Sequence, residues 1–261
     1  MRARLAVASV VLVLLAAGCN GDDGGGGASD TVPGDATTTA AGPAQGGETT
    51  TTAGDGTGGP AGTTAGTGAG TAAAGPAPEL GEMVLRQSDF PAGWTSEPAE
   101  DDDDEAQAEM ERCLGIERSG DRPEATSPRF AVGDAITQAS SAVELAPDAA
   151  TVDREFAAID GPRFLECAAE QLDRTIARES AGAEFAPAKA ERLAFGPFGD
   201  GTSAVRMSTA VSAGDQQVPI FADLVFVRKG LAELSFSFIN AGEPFAAALA
   251  TELVGKVVAR A

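Results

Sequence analysis

The side chains of this 261-residue chain best suited to covalent chemistry are its three cysteines, Cys19, Cys113 and Cys167. Nothing in the sequence completes a catalytic set around them. There is no histidine and no tyrosine. Ser-His-Asp and Cys-His nucleophilic sites and the usual zinc ligand sets therefore have no members here. No Gly-x-Ser-x-Gly elbow occurs, and no phosphate-cradling glycine loop followed by Lys and Ser or Thr. Paired carboxylates could hydrolyse a glycoside, but spacing singles out no pair among 39 acidic residues. No catalytic residue, metal ligand or cofactor site is assigned. What remains is thiol chemistry, and it divides into acylation of Cys19 and pairing of the other two.

Cys19 stands at the end of an export signal. Arg2 and Arg4 precede the 13-residue apolar run Leu5–Ala17, and Leu15-Ala-Ala-Gly-Cys19 closes it. The arrangement reads as a bacterial lipoprotein signal over residues 1–18, with a lipobox. Ala16, Ala17 and Gly18 suit a peptidase that accepts little bulk before the cysteine. Leu15 lies four residues before Cys19 rather than three, so Ala16 fills the looser position. A run this short falls below the roughly 20 residues a spanning helix needs. The expectation is cleavage before Cys19 and a diacylglyceryl group on its thiol. That places the protein outside the cytoplasm, anchored by lipid to the outer face of the cell membrane. An ordinary secretory signal with an incidental cysteine is the other reading.

Charge excludes some partners. Without Arg2 and Arg4 the chain keeps 16 basic against 39 acidic side chains. Nucleic-acid binding needs clustered Lys and Arg against phosphates, and no such cluster exists. Adhesion to anionic lipid is disfavoured for the same reason, leaving the anchor as the membrane contact. Fifteen of the 18 basic residues are Arg, and Ala and Gly abound, which suggests a GC-rich genome.

Residues 19–80 comprise Cys19 and a tract of Gly, Thr, Ala, Pro and Asp with no aromatic and no basic residue. Such a tract buries too little apolar surface to offset its ordering entropy, and disorder is expected. As a coil, its ends would lie roughly 40–45 Å apart. Thr37–Thr39 and Thr49–Thr52 resemble O-glycosylated stalks; an unmodified spacer is equally consistent.

From residue 81 to 261 the composition becomes that of one folded domain. A short strand is expected at Leu85, then a turn at Asp89-Phe-Pro-Ala-Gly-Trp94 and a helix from near Pro98. Residues 129–146 read as one extended strand or a hairpin. Asp148 could cap a helix with Val152, Phe156 and Ile159 inward. Gly161-Pro162 breaks it, and Phe164, Ala168, Leu172 and Ile176 recur at helical spacing beyond. Segments near 189–196, 202–213, 218–228 and 231–239 read as strands, with turns at Asp200-Gly201 and Arg228-Lys-Gly230. Ala232, Leu234, Phe236 and Phe238 alternate with Glu233, Ser235 and Ser237, the period of a half-buried strand. A last helix runs from Pro244. The sum is an α+β domain, one antiparallel sheet with helices packed on it.

Cys113 and Cys167 each fall on the inner face of a helix. In an exported domain that suggests a disulfide, with two buried free thiols as the alternative. Glu100-Asp-Asp-Asp-Asp-Glu105 invites calcium, but consecutive carboxylates on a helix point around its axis and few converge. Acids favoured at a helix N-terminus are the plainer reading. Trp94 could contact a ligand or partner, or plug the core beside its turn. In Phe195-Gly-Pro-Phe-Gly-Asp-Gly201, Phe195 is expected inward and Phe198 exposed, making Phe198 a second possible contact.

Asp89-Phe-Pro-Ala-Gly-Trp94, Cys113-Leu-Gly115, Cys167, Gly199-Asp-Gly-Thr-Ser203 and Val227-Arg-Lys-Gly230 together resemble actinobacterial cell-surface lipoproteins of poorly defined function. Some of these relate to LpqN-type lipoproteins, whose fold resembles the Mog1/PsbP class. The extracellular sensor domain of mycobacterial transmembrane serine/threonine kinases has a similar α+β plan, with two cysteine pairs where this chain has one. The resemblance spans about residues 80–261 and implies no particular functional residue. With the anchor, the tether and the missing catalytic groups, it leads to a non-catalytic binding or sensor module. The partner would be an envelope lipid, a glycan or another envelope protein. A structural wall spacer and a carboxylate- or Ser-dependent envelope hydrolase are the alternatives.

Overall fold

The computed structural model describes residues 79–99, 104–116, 122–133, 136–179, 183–213 and 216–261. The signal, Cys19 and the tether up to residue 78 lie outside these. Two single turns of 3₁₀ helix, Leu80–Glu82 and Gln87–Asp89, open the described chain. Then come β1 (Trp94–Glu97), α1 (Asp104–Leu114), β2 (Glu124–Thr126), β3 (Arg129–Val132), β4 (Thr137–Leu145), α2 (Ala149–Asp160) and α3 (Pro162–Glu179). The chain closes with β5 (Lys189–Arg192), β6 (Gly201–Ala213), β7 (Gln216–Lys229), β8 (Ala232–Ala241) and α4 (Ala247–Arg260).

All eight strands belong to one antiparallel sheet ordered β1-β3-β4-β8-β7-β6-β5, with β2 also paired to β4. This is the α+β plan the sequence predicts. Chain-neighbouring β6, β7 and β8 form a meander because tight turns join or brace them. Gly230 takes φ +60° between β7 and β8. Gly199, before β6, takes φ +55°, and a Cβ there would collide with the Arg228 carbonyl, so only glycine fits.

Strand alternation sends side chains to two faces, and each face has its own core. On the first, Leu234, Phe236 and Phe238 pack under Leu253, Val254 and Val257 of α4 and under Phe90 and Phe245. On the second, Val205, Met207, Leu224 and Phe226 pack against Phe164, Ala168, Leu172 and Ile176 of α3. Asp148 caps α2, its Oδ1 accepting from the Thr151 amide at 2.8 Å. Hydrogen bonding from Thr151 holds its carboxyl below the usual aspartate range.

Several expectations shift by a few residues. Leu85 lies between the two 3₁₀ turns instead of in a strand, and the first strand begins at Trp94. Pro98 and Ala99 are not helical, and the helix expected there is first described from Asp104. Residues 129–146 form the hairpin of β3 and β4. The last helix starts at Ala247, after a non-helical Pro244–Ala246.

The C-terminal helix clamps the start of the domain. Arg260 Nη1 and Nη2 donate to Asp89 Oδ1 and Oδ2 at 2.8 and 2.9 Å, and its Nε donates to the Glu82 carbonyl at 2.9 Å. Lys256 Nζ donates to the Asp89 carbonyl at 2.6 Å. Burial pushes the Asp89 carboxyl upward. Hydrogen bonds from Arg260 and the Arg86 amide, with the charges of Arg260 and Lys256, outweigh it, and the net shift is downward. A folded-state value below the unfolded one adds stability above the ordinary aspartate range, lost as pH falls through the lowered value. The stability gap between the wild type and Asp89→Asn should therefore be full above about pH 5 and narrow below about pH 4. Urea denaturation across pH 2.5 to 7 would read it, and a gap independent of pH would contradict the assignment.

Candidate functional site

The second face of the sheet changes character across its width. Over β5 to β7 it is apolar and covered by helices. Over β4 and β8 it carries small and polar side chains set opposite one another by register: Gln138 with Ile239, Ser140 with Ser237, Ala142 with Ser235, and Glu144 with Glu233. Two depressions lie side by side along these strands and share Thr126. The first is walled by Phe156, Ile159 and Phe226. The second is lined by Gln138, Ser140 and Ser237, with Arg129 at its rim. Together they make a groove that follows β4 from Gln138 to Glu144, roughly 20 Å.

Local chemistry shapes the outer side of the groove. Pro128 has no amide hydrogen and interrupts the strand that would otherwise join β2 to β3. Ser127 repairs the ladder. Its amide donates to the Ser141 carbonyl at 2.8 Å, and its Oγ accepts from the Ser141 amide at 2.9 Å.

One end of the groove is ionic. Arg122 meets Glu155 through both terminal nitrogens, at 2.9 and 2.7 Å. It also pairs with Glu144 at 2.9 Å and Glu233 at 3.5 Å. Glu155, on α2, is 0% exposed. The hydrogen bond to Glu155, joined by the charges of Glu144, Glu155 and Glu233, outweighs desolvation and raises Arg122 above its ordinary range. The carboxylates that converge here converge on a guanidinium, which fixes the mouth of the groove to α2.

The other end holds buried polar atoms without partners. Gln138 is 8% exposed and Ser237 3%, and neither Gln138 Oε1 nor Ser237 Oγ has a hydrogen-bond partner. An orphaned buried group of this kind costs about 1–3 kcal/mol. Among the described residues none is hydrogen-bonded to Ser237 Oγ, and the groove offers polar side chains beside an apolar wall.

The residues singled out in the sequence lie elsewhere. Cys113 of α1 and Cys167 of α3 form a disulfide with Cα atoms 5.9 Å apart. Trp94 corrects the contact reading. It is 8% exposed, its ring 4.7 Å from Phe90 and 6.1 Å from Phe245, and it plugs the core. Phe198 is half-buried where exposure was expected, its ring tilted against that of Phe195 at 5.8 Å and lying against Gly255 of α4. Of the acidic run, residues 100–103 lie outside the described residues, and Glu105 pairs with Arg178 at 3.7 Å. Among the described residues no group of three or more His, Cys, Asp or Glu could hold a metal ion.

Sequence reasoning missed Arg122, Glu144, Glu155, Gln138 and the burial of Ser237. The serines of β8 were legible as one face of a strand. Only the register, which sets β4 beside β8, turns them into a groove. No family model matches the chain, and no curated protein matches it.

Proposed function

We propose that this chain is a cell-envelope lipoprotein, anchored through a lipidated Cys19 to the outer face of the membrane, whose domain is a non-catalytic binding or sensor module. Its site is the groove over β4 and β8. The observation that carries this reading is the pair of buried, unpartnered polar atoms, Gln138 Oε1 and Ser237 Oγ, on residues that line that groove. A fold retains such atoms at a cost to its stability, and a ligand that satisfies them recovers it. The signal pattern at residues 1–19 supports the anchor. The disulfide suits an oxidising compartment.

A hydrolase is less well supported. The carboxylates that come together do so around Arg122, which fills the space between them.

Two measurements test the proposal. Replacing Cys19 by Ser should move the protein from the membrane fraction to the medium. Native mass spectrometry of the full chain, purified from the envelope in detergent, should find a retained envelope molecule. Finding no retained molecule in repeated preparations would count against the binding reading, and membrane retention of Cys19→Ser against the anchor.

A further inference from the structure

We infer that the groove recognises sugar hydroxyls of an uncharged glycan, an inference that rests on the binding-module reading above. The argument begins at Gln138 and Ser237. Both residues line a cavity of about 30 Å³, room for roughly two water molecules or one hydroxymethyl arm. A carboxamide and a hydroxyl at one spot ask for a group that both donates and accepts. A hydroxyl does both, whichever way the amide is turned. An ionised phosphate or carboxylate only accepts, and an ammonium only donates.

Charge points the same way. Glu144 and Glu233 line the first depression, and the whole chain carries a formal charge of −21. An anionic polymer would be repelled along the first depression, and the one cation at the rim of the second, Arg129, is already paired with Glu97. Next to the polar pocket, Phe156, Ile159 and Phe226 wall the groove. Sugar rings present C–H faces beside their hydroxyls, so an apolar wall adjoining a hydroxyl-matching pocket suits them. The exposed hydroxyl of Thr126 bridges the two depressions. A groove roughly 20 Å long takes three or four sugar units in extended form.

Sugar hydroxyls reach the cell envelope in two forms, as polysaccharide and as glycolipid headgroups. The test therefore has two arms, each with the full chain in detergent. One titrates neutral glucan, galactan, mannan and arabinan oligomers of four to six units. The other adds phosphatidylcholine vesicles with and without a digalactosyl lipid. Thermal shift and calorimetry read both.

Wild type should be stabilised by a few degrees by at least one neutral probe. Ser237→Ala removes an orphaned hydroxyl, so without ligand it should be as stable as the wild type or slightly more so. It should weaken binding of that probe about tenfold, the effect of one buried hydrogen bond. A response confined to the vesicle arm assigns the glycolipid form, and one in the oligomer arm the polysaccharide form.

Four results would overturn the inference. Binding indifferent to Ser237→Ala would place the site elsewhere. A loss of unliganded stability in Ser237→Ala would mean that a structural water satisfies the pocket. Silence of every neutral probe, while an envelope molecule of another class co-purifies, would remove the glycan and leave the binding module. Silence together with no co-purifying molecule would remove both.

Discussion

Replacing Arg122 by Ala should destabilise the domain by about 3–5 kcal/mol, the loss expected when one partner of a buried ion pair is deleted. Its side chain is 5% exposed and its partner Glu155 is fully buried. The bidentate bond fixes the guanidinium in a planar fork, and Glu144 and Glu233 approach it from adjacent strands. Arg122 thereby ties α2 to β4 and β8 through a single side chain. Deleting it leaves those carboxylates desolvated without the cation that binds them. Guanidinium denaturation should show a lower midpoint with an unchanged slope. Arg122→Lys should recover only part of the loss, because an ammonium cannot make the paired bonds. A loss below about 1 kcal/mol in Arg122→Ala would place the cluster with exposed surface pairs.

Reduction of Cys113–Cys167, or the double substitution Cys113→Ser and Cys167→Ser, should cost about 4 kcal/mol by chain entropy. The bridge closes a long loop, with the cysteines 54 positions apart. That loop contains β2 to β4 and all of α2. The bond joins α1, described over 11 residues, to α3, described over 18 and with the stronger amphipathic pattern. A helix of 11 residues is marginal alone and depends on its anchorage to α3. Hydrogen exchange should rise first in α1 on reduction, before the strands of the meander. Equal denaturation midpoints for oxidised and reduced protein would contradict this account.

Much of the fold was legible because local signals agreed with the tertiary result. The β6 to β8 meander combines period-two alternation with turns at Gly199 and Gly230 that require positive φ. Gly161-Pro162 separates α2 from α3 at the expected place. The cysteines sit on the inner faces of their helices, as helical spacing indicates. What escaped depends on contacts between distant segments. β2 and β3 are short, and Pro128 divides them, leaving no periodic pattern to read. Among the described strands β1 pairs with β3 alone, from Trp94 with Val132 to Glu97 with Arg129, far apart in the chain. Arg122 is one basic residue in an acidic chain, and its burial follows from three carboxylates brought from α2, β4 and β8. The groove is wholly a product of register. Ser237 alternates with apolar neighbours as a solvent-facing residue would, yet it is buried beside β4.

The central claim is that the β4–β8 groove is where this domain meets its ligand. Site-specific photocrosslinking in living cells tests it most directly, with a benzophenone side chain placed at Ser235 in the groove. A control carries it at exposed Thr251 on α4, on the opposite face of the sheet. The account predicts a discrete adduct from Ser235, diminished when Ser237 is also Ala, and none from Thr251. Adducts from Thr251 alone, or adducts from Ser235 that ignore the Ser237 substitution, would contradict it.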